Sequence, residues 1–377
     1  MTLALAGALL AATAARAEIK AGFVTSLSGP ASSIGIPYSR GMAAAAEYAN
    51  SVDGEKIKLI QLDDGSDPSA ATRNARKLVE EDKVDLLIGT ASTPSTSAMA
   101  AVANEVRVPM LAIAPITPAA PGTEIWTVAV PAPASLLVKI VADRIARDRI
   151  KNVGYIGFSD SWGDLVYNGA RAAEARGQFK VVANQRYART DPSVTGQVLA
   201  LLAARPDGIL LGGSGTQGAL PPLALAERGY KGPIYGTQAL LNQDFVRIGG
   251  KAVEGIVLSA GPEIVAEQLP DDHFSKKISL AFREAYLKAN GSAATDGFSP
   301  YSFDAWLILL DAAKRAMAKA TPGTAEFRAA LRDAIFTTTD LKGTNAIYDY
   351  RPGESYGVDE RAFVLVKVVK GAWTYVP

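Results

Sequence analysis

The chain has 377 residues, more than one hydrophobic core usually supports, and its 48% hydrophobic and 20% charged residues are those of a folded globular protein rather than a disordered one. Lys and Arg total 39 against 38 for Asp and Glu, which leaves no electrostatic case for nucleic acid or an anionic membrane as partner. With no cysteine, disulfides, thiolate nucleophiles and Cys-ligated metals are excluded.

In chain order the first signal is an apolar leader. Residues 3–15 form a 13-residue run rich in Ala and Leu, short of the roughly 20 needed to span a bilayer. Ala15, Arg16 and Ala17 follow as a small-x-small triplet before Glu18. This reads as a secretory signal peptide over residues 1–17, although no Lys or Arg precedes the apolar run; a buried N-terminal helix is the competing reading. Without a cysteine to carry a lipid anchor, the exported chain is expected free in a periplasm.

Residues 19–27 form a short apolar strand that ends in a turn at Ser28, Gly29 and Pro30. An Ala-rich helix follows at 38–50, an alternating strand at 56–62, and a helix at 68–81 with Pro68 in its first turn and Asp67 as N-cap. A strand at 86–88, a helix at 95–105 and a strand at 110–114 complete this run. The pattern then restarts, with helices at 135–147, 162–176, 194–203 and 218–228 between strands at 153–157, 180–187, 208–211 and 234–235. Three consecutive helices, 274–289, 301–318 and 325–334, break the alternation, and strand-like segments follow at 344–348 and 362–369.

Strands alternating with helices predict parallel sheets covered on both faces. Two such runs predict an α/β fold of two doubly wound lobes joined by a hinge. The final part cannot build its own sheet and is expected to complete both lobes. Residues 18–133 with about 261–338 form the first lobe, and 134–260 with about 339–377 the second.

A search for catalysis finds little. The single histidine, His273, lies in a polar stretch after Pro270, Asp271 and Asp272, a poor setting for a Ser-His-Asp triad. Asp63, Asp64 and Asp67 read as a strand end and a helix cap rather than a cation site. The loop Gly212, Gly213, Ser214, Gly215 lacks the GxGxxG fingerprint and a closing Lys-Ser or Lys-Thr. It reads better as a close backbone approach to a small ligand than as a phosphate cradle. Neither a cofactor, a metal nor an enzymatic activity is expected.

The order and spacing of several short segments are more specific than any one of them. They are Gly22, Phe23 and Val24 through Leu27, Ser28, Gly29 and Pro30; Asp63 and Asp64 with Asp67 and Pro68; residues 74–78; Ile88 and Gly89; Trp162 and Gly163; residues 249–255; and Asp304 with Ala305. Across nearly the whole chain after the leader, they resemble the periplasmic solute-binding proteins of ABC transporters, of the branched-chain amino-acid-binding type. Residues 260–270 are similar to a subgroup linked to aromatic acids. The resemblance implies a bilobed clamp that binds a small organic acid between strand ends, with an ABC permease and its ATPase subunits as partners. It implies a carboxylate site at Ser92 and Thr93, a second carboxylate segment at 112–117 with Ala114, Ile116 and Thr117, and Ile34 as a pocket residue. Trp162 would cover the ligand, Ser214 replaces an aromatic of some members, and Gln238 stands where amino-acid binders place an acid against the ligand's ammonium. A carboxylate without an α-ammonium, most readily an aromatic acid, is therefore expected, with an amino acid as the alternative. A receptor lobe that signals to a membrane partner would share the same fold.

Overall fold

A computed structural model gives the structure and describes residues 18–377; the expected leader lies outside the described residues. β1 (Ile19–Thr25) is buried along almost its whole length, as a strand inside a parallel sheet must be. It pairs in parallel with β3 (Glu55–Asp63), Ile19 opposite Ile57, and with β4 (Leu86–Gly89), Ala21 opposite Leu86. β2 (Ser51–Val52) forms a short antiparallel edge on β3, while β5 (Met110–Ala112) and β6 (Thr127–Ala129) extend the other side. The first sheet therefore runs β2-β3-β1-β4-β5-β6. Between its strands lie α1 (Ser32–Tyr48), α2 (Pro68–Glu80) and α3 (Thr93–Val106).

The second run contains α4 (Ala134–Arg147), β7 (Asn152–Phe158), α5 (Ser161–Ala175), β8 (Lys180–Tyr187), α6 (Thr195–Ala203) and β9 (Gly208–Gly212). It continues with α7 (Leu220–Glu227), β10 (Ile234–Gly236), α8 (Gln243–Gly249) and β11 (Val257–Ala260). Then α9 (Lys276–Asn290), α10 (Ser299–Met317) and α11 (Ala325–Ile335) return to the first lobe, where Phe282, Phe303, Trp306 and Phe327 join the core of β1 and α1. A small hairpin, β12 (Leu341–Lys342) and β13 (Ile347–Tyr348), precedes β14 (Val364–Val369) and β15 (Ala372–Val376). β14 pairs antiparallel with β11 and β15 antiparallel with β14, so the second sheet runs β15-β14-β11-β10-β9-β7-β8.

The two lobes begin with the same packing device. Gly35 in α1 presses on the Ser26 carbonyl beyond β1, and a Cβ there would lie 1.9 Å from that oxygen. Gly163 in α5 presses on the Phe158 carbonyl at the end of β7, again with room for no Cβ at 1.9 Å. A hydroxyl ties each close approach, Thr25 donating to the Gly35 carbonyl at 3.1 Å and Tyr155 to that of Gly163 at 2.6 Å.

Three details depart from the sequence reading. α1 begins at Ser32, six residues before the expected start, and contains Pro37. The short strands β6 and β11 carry too few residues to show a period. The segment expected in the second lobe from residue 339 instead sends Ala346, Tyr348, Tyr350 and Ala362 into the first core; only β14 and β15 belong to the second sheet. The reason is an anchor on α10: the buried Asp304 accepts bonds from Thr344, Asn345 and Tyr348 and holds the hairpin in the first lobe.

Candidate functional site

In open α/β sheets ligands gather beyond the carboxyl ends of the strands. Here the two sets of strand ends face each other across a cavity lined from both lobes, the kind of concave setting that small-molecule sites use. Nearly every parallel strand sends a residue into its wall. From the first lobe come Ile34 after β1, Ser92 and Thr93 after β4, Ala114 and Pro115 after β5, and Pro131 after β6. From the second come Trp162 after β7, Arg189 after β8, Ser214 after β9 and Gln238 after β10. Tyr38, Phe298 and Tyr301 complete the wall from α1 and from the start of α10.

Ser92 is the N-cap of α3, its hydroxyl accepting the Ser95 N–H at 3.3 Å, and Thr93 is the first helical residue. Pro94 has no N–H, so the donors of this helix start are concentrated on Thr93, whose N–H and hydroxyl suit a carboxylate. Behind them Asp64 joins three strand ends: it accepts from Ser26 at 2.6 Å, from the Ser66 N–H at 2.9 Å and from the Thr90 hydroxyl. Asp63 accepts from the Leu27 N–H and the Ser28 hydroxyl, and Asp67 caps α2 through Ser69. The acid cluster is thus a strut and a cap. Among the described residues no group of His, Cys, Asp or Glu is placed to hold a metal ion.

Trp162 is both core and wall. It is buried in the second-lobe cluster, and its indole N–H donates to the Gly213 carbonyl at 3.2 Å. The glycines around Gly213, expected from the sequence to allow a close backbone approach to a ligand, are each packed against a protein side chain. A Cβ on Gly212 would meet the Tyr155 hydroxyl at 1.9 Å, on Gly213 the Tyr187 hydroxyl at 2.4 Å, and on Gly215 the Ser33 hydroxyl at 2.6 Å. Two of these neighbours are tyrosines of the same lobe and the third belongs to the opposite lobe; within the loop only Ser214 lines the cavity.

Gln238 is buried, and its Oε1 accepts the Tyr301 hydroxyl at 2.5 Å across the lobes. Burial and the neighbouring Asp304 raise the Tyr301 pKa, so it stays a neutral donor. The side-chain nitrogen of Gln238 is left as a donor. Arg189 donates from Nε to Asp160 at 2.6 Å and from a terminal nitrogen to Ser214 at 2.9 Å. Asp160 in turn caps α5 through the N–H groups of Trp162 and Gly163. The cavity wall contains hydroxyl, amide and guanidinium donors and broad apolar surfaces, and no Asp, Glu or His among the described residues lines it.

Of the residues expected from sequence, Ile34, Ser92, Thr93, Ala114, Trp162, Ser214 and Gln238 come together here. Ile116 and Thr117 do not. Beyond Pro115 the loop turns away, and these two line a separate depression with Ser97, Asn104 and Ser355. Tyr356 fixes the turn, accepting the Ile116 N–H at 2.8 Å from 240 residues away. Sequence reasoning missed Arg189, Pro131, Tyr38, Phe298 and Tyr301. Arg189 had a signal, since it follows the legible strand that ends at Tyr187 and thus occupies a strand-end position.

A family model described as periplasmic binding protein matches residues 18–371. An extracellular ligand-binding receptor from Rhodopseudomonas palustris HaA2 is 41% identical, with a TM-score of 0.91 over 96% of this chain and 100% of that one. An amino acid binding protein of Pseudomonas aeruginosa is 23% identical over 80% of each chain. A solute-binding protein of an R. palustris ABC transporter, solved with benzoate, is 19% identical, with a TM-score of 0.79 over 95% of each chain, and shares the fold. Among the described residues no helix is long and apolar enough to cross a membrane.

Proposed function

The chain belongs to the periplasmic binding protein family, and from that premise we propose that it captures a small carboxylate, preferentially an aromatic acid, and delivers it to an ABC permease with its ATPase subunits. An amino-acid binder and a benzoate binder both resemble this chain, so the choice rests on the cavity. The observation that carries the reading is the wall's lack of a carboxylate. By the resemblance, Gln238 falls where amino-acid binders place an acid, and its oxygen already accepts from Tyr301. An ammonium enclosed without a counter-charge costs several kcal/mol. A carboxylate would find donors at Thr93, and the apolar side chains of Trp162, Ile34 and Phe298 in the wall would cover an aromatic ring.

Calorimetry with benzoate-like and phenylpropanoid-like acids, beside leucine and phenylalanine, tests the reading. Micromolar binding of at least one aromatic acid, about −8 kcal/mol, is the expected result. Tight leucine binding with no response to any aromatic acid would overturn it. Export completes the proposal: the mature chain begins at Glu18, which N-terminal sequencing of the periplasmic fraction checks, and intact Met1 in the cytoplasm would refute.

A further inference from the structure

The second-lobe end of the cavity is organised around one cation. Arg189 lies in the wall, held by Asp160 at 2.6 Å and Ser214 at 2.9 Å, with its guanidinium carbon 4.2 Å from the centre of the Phe158 ring. Both oxygens of Asp160 are engaged. One caps α5 through Trp162 and Gly163, and the other accepts from Arg189. Arg189 therefore stands where a ligand's cationic group would have to stand to reach this carboxylate. A guanidinium carries five N–H groups, and the two bonds described leave others to turn toward the cavity.

We infer that Arg189 sets the charge preference of the cavity: by occupying Asp160 it closes an ammonium site and presents N–H donors to an oxygen acceptor instead. The inference rests on the aromatic-acid reading and sharpens it. The ligand class is an aromatic acid with a second oxygen acceptor on the side away from its carboxylate, so that Thr93 serves one end and Arg189 the other. Arg189 is then a specificity residue in two senses, attracting the second acceptor and rejecting amino acids.

The test compares benzoate, 4-hydroxybenzoate and phenylalanine by calorimetry on wild type, Arg189→Met, Arg189→Lys and the double variant Arg189→Met with Asp160→Asn. Circular dichroism confirms folding of each. The wild type is expected to bind 4-hydroxybenzoate about tenfold tighter than benzoate, as a hydrogen bond to a charged donor provides, and to ignore phenylalanine. Arg189→Met should lose that preference and acquire phenylalanine binding through the freed Asp160, and the double variant should lose the acquired binding. Arg189→Lys keeps the charge and should still exclude phenylalanine. An Arg189→Met variant that retains the full preference and gains no phenylalanine binding overturns the inference while leaving the aromatic-acid reading intact. Wild type that binds phenylalanine and neither benzoate removes the reading itself.

Discussion

Asp304 is fully buried in α10 and accepts four hydrogen bonds, from the Thr344 N–H at 2.7 Å, the Thr344 hydroxyl at 2.8 Å, the Asn345 N–H at 3.0 Å and the Tyr348 hydroxyl at 2.7 Å. Burial pushes its pKa up to about 6 against the pull of those donors. Asp304→Ala strands all four and is expected to cost about 3–5 kcal/mol, measured by urea unfolding; a loss under about 1 kcal/mol would show that the anchor is dispensable. Glu263, between β11 and α9, is a second buried acid. One of its oxygens accepts from Arg283 at 2.7 Å and the other has no partner. Burial raises its pKa to about 7, opposed by Arg283 and reinforced by Asp296 and Glu267. Its folded pKa exceeds the ordinary glutamate value, so the folded state binds this proton more readily than the unfolded chain. The resulting stabilisation is complete below about pH 4.3 and fades as pH rises to about 7. Glu263→Gln should therefore gain melting temperature relative to wild type between pH 5 and pH 8, and a difference that stays constant with pH would refute the assignment.

The paired glycines show how elements were and were not legible. Long periodic helices and the continuous apolar strands stood out in the sequence, and with them the alternation that defines each lobe. The contact of Gly35 with the Ser26 carbonyl and of Gly163 with Phe158 could not be read, because it depends on the angle at which a helix meets its strand. Nor could the start of α1, since Pro37 argues for a boundary that the fold overrides by placing it inside the helix. The site followed the same division. Most residues carried by the resemblance at strand ends reach the cavity wall, and Arg189 lay at a legible strand end without being named, whereas Tyr301 and Phe298 come from a helix that returns from far along the chain, and Ile116 was turned away by a tyrosine 240 residues distant. Gly163→Ala forces a Cβ to within 1.9 Å of a carbonyl oxygen, so α5 must lift. A loss of about 1–3 kcal/mol is expected, with weaker ligand binding because the neighbouring Trp162 moves with the helix. Unchanged thermal stability and affinity would contradict the packing argument.

At the scale of the molecule the two lobes are latched along one seam. Ser33 accepts the Thr216 N–H at 3.2 Å through its hydroxyl, Gly297 donates to the Leu241 carbonyl at 2.9 Å, and Tyr301 reaches Gln238. The fourth contact has a local cause. In a regular helix the Ser33 carbonyl would accept from residue 37, but that residue is Pro37 and has no N–H. The released carbonyl accepts the side-chain amide of Asn242 from the other lobe, so an apparent defect in α1 supplies an acceptor for closure. If ligand binding is coupled to this closed arrangement, weakening the latch lowers the fraction of competent protein and the apparent affinity with it. Pro37→Ala returns an N–H to Ser33 and makes it compete with Asn242. One neutral hydrogen bond contributes about 1 kcal/mol, so ligand affinity should fall roughly fivefold, through faster release rather than slower capture. In solution scattering the wild type should contract when ligand is added, and the variant should need correspondingly more ligand to reach the same radius of gyration. Equal affinity and equal contraction in the two proteins would show that the Ser33 carbonyl plays no part in holding the lobes together.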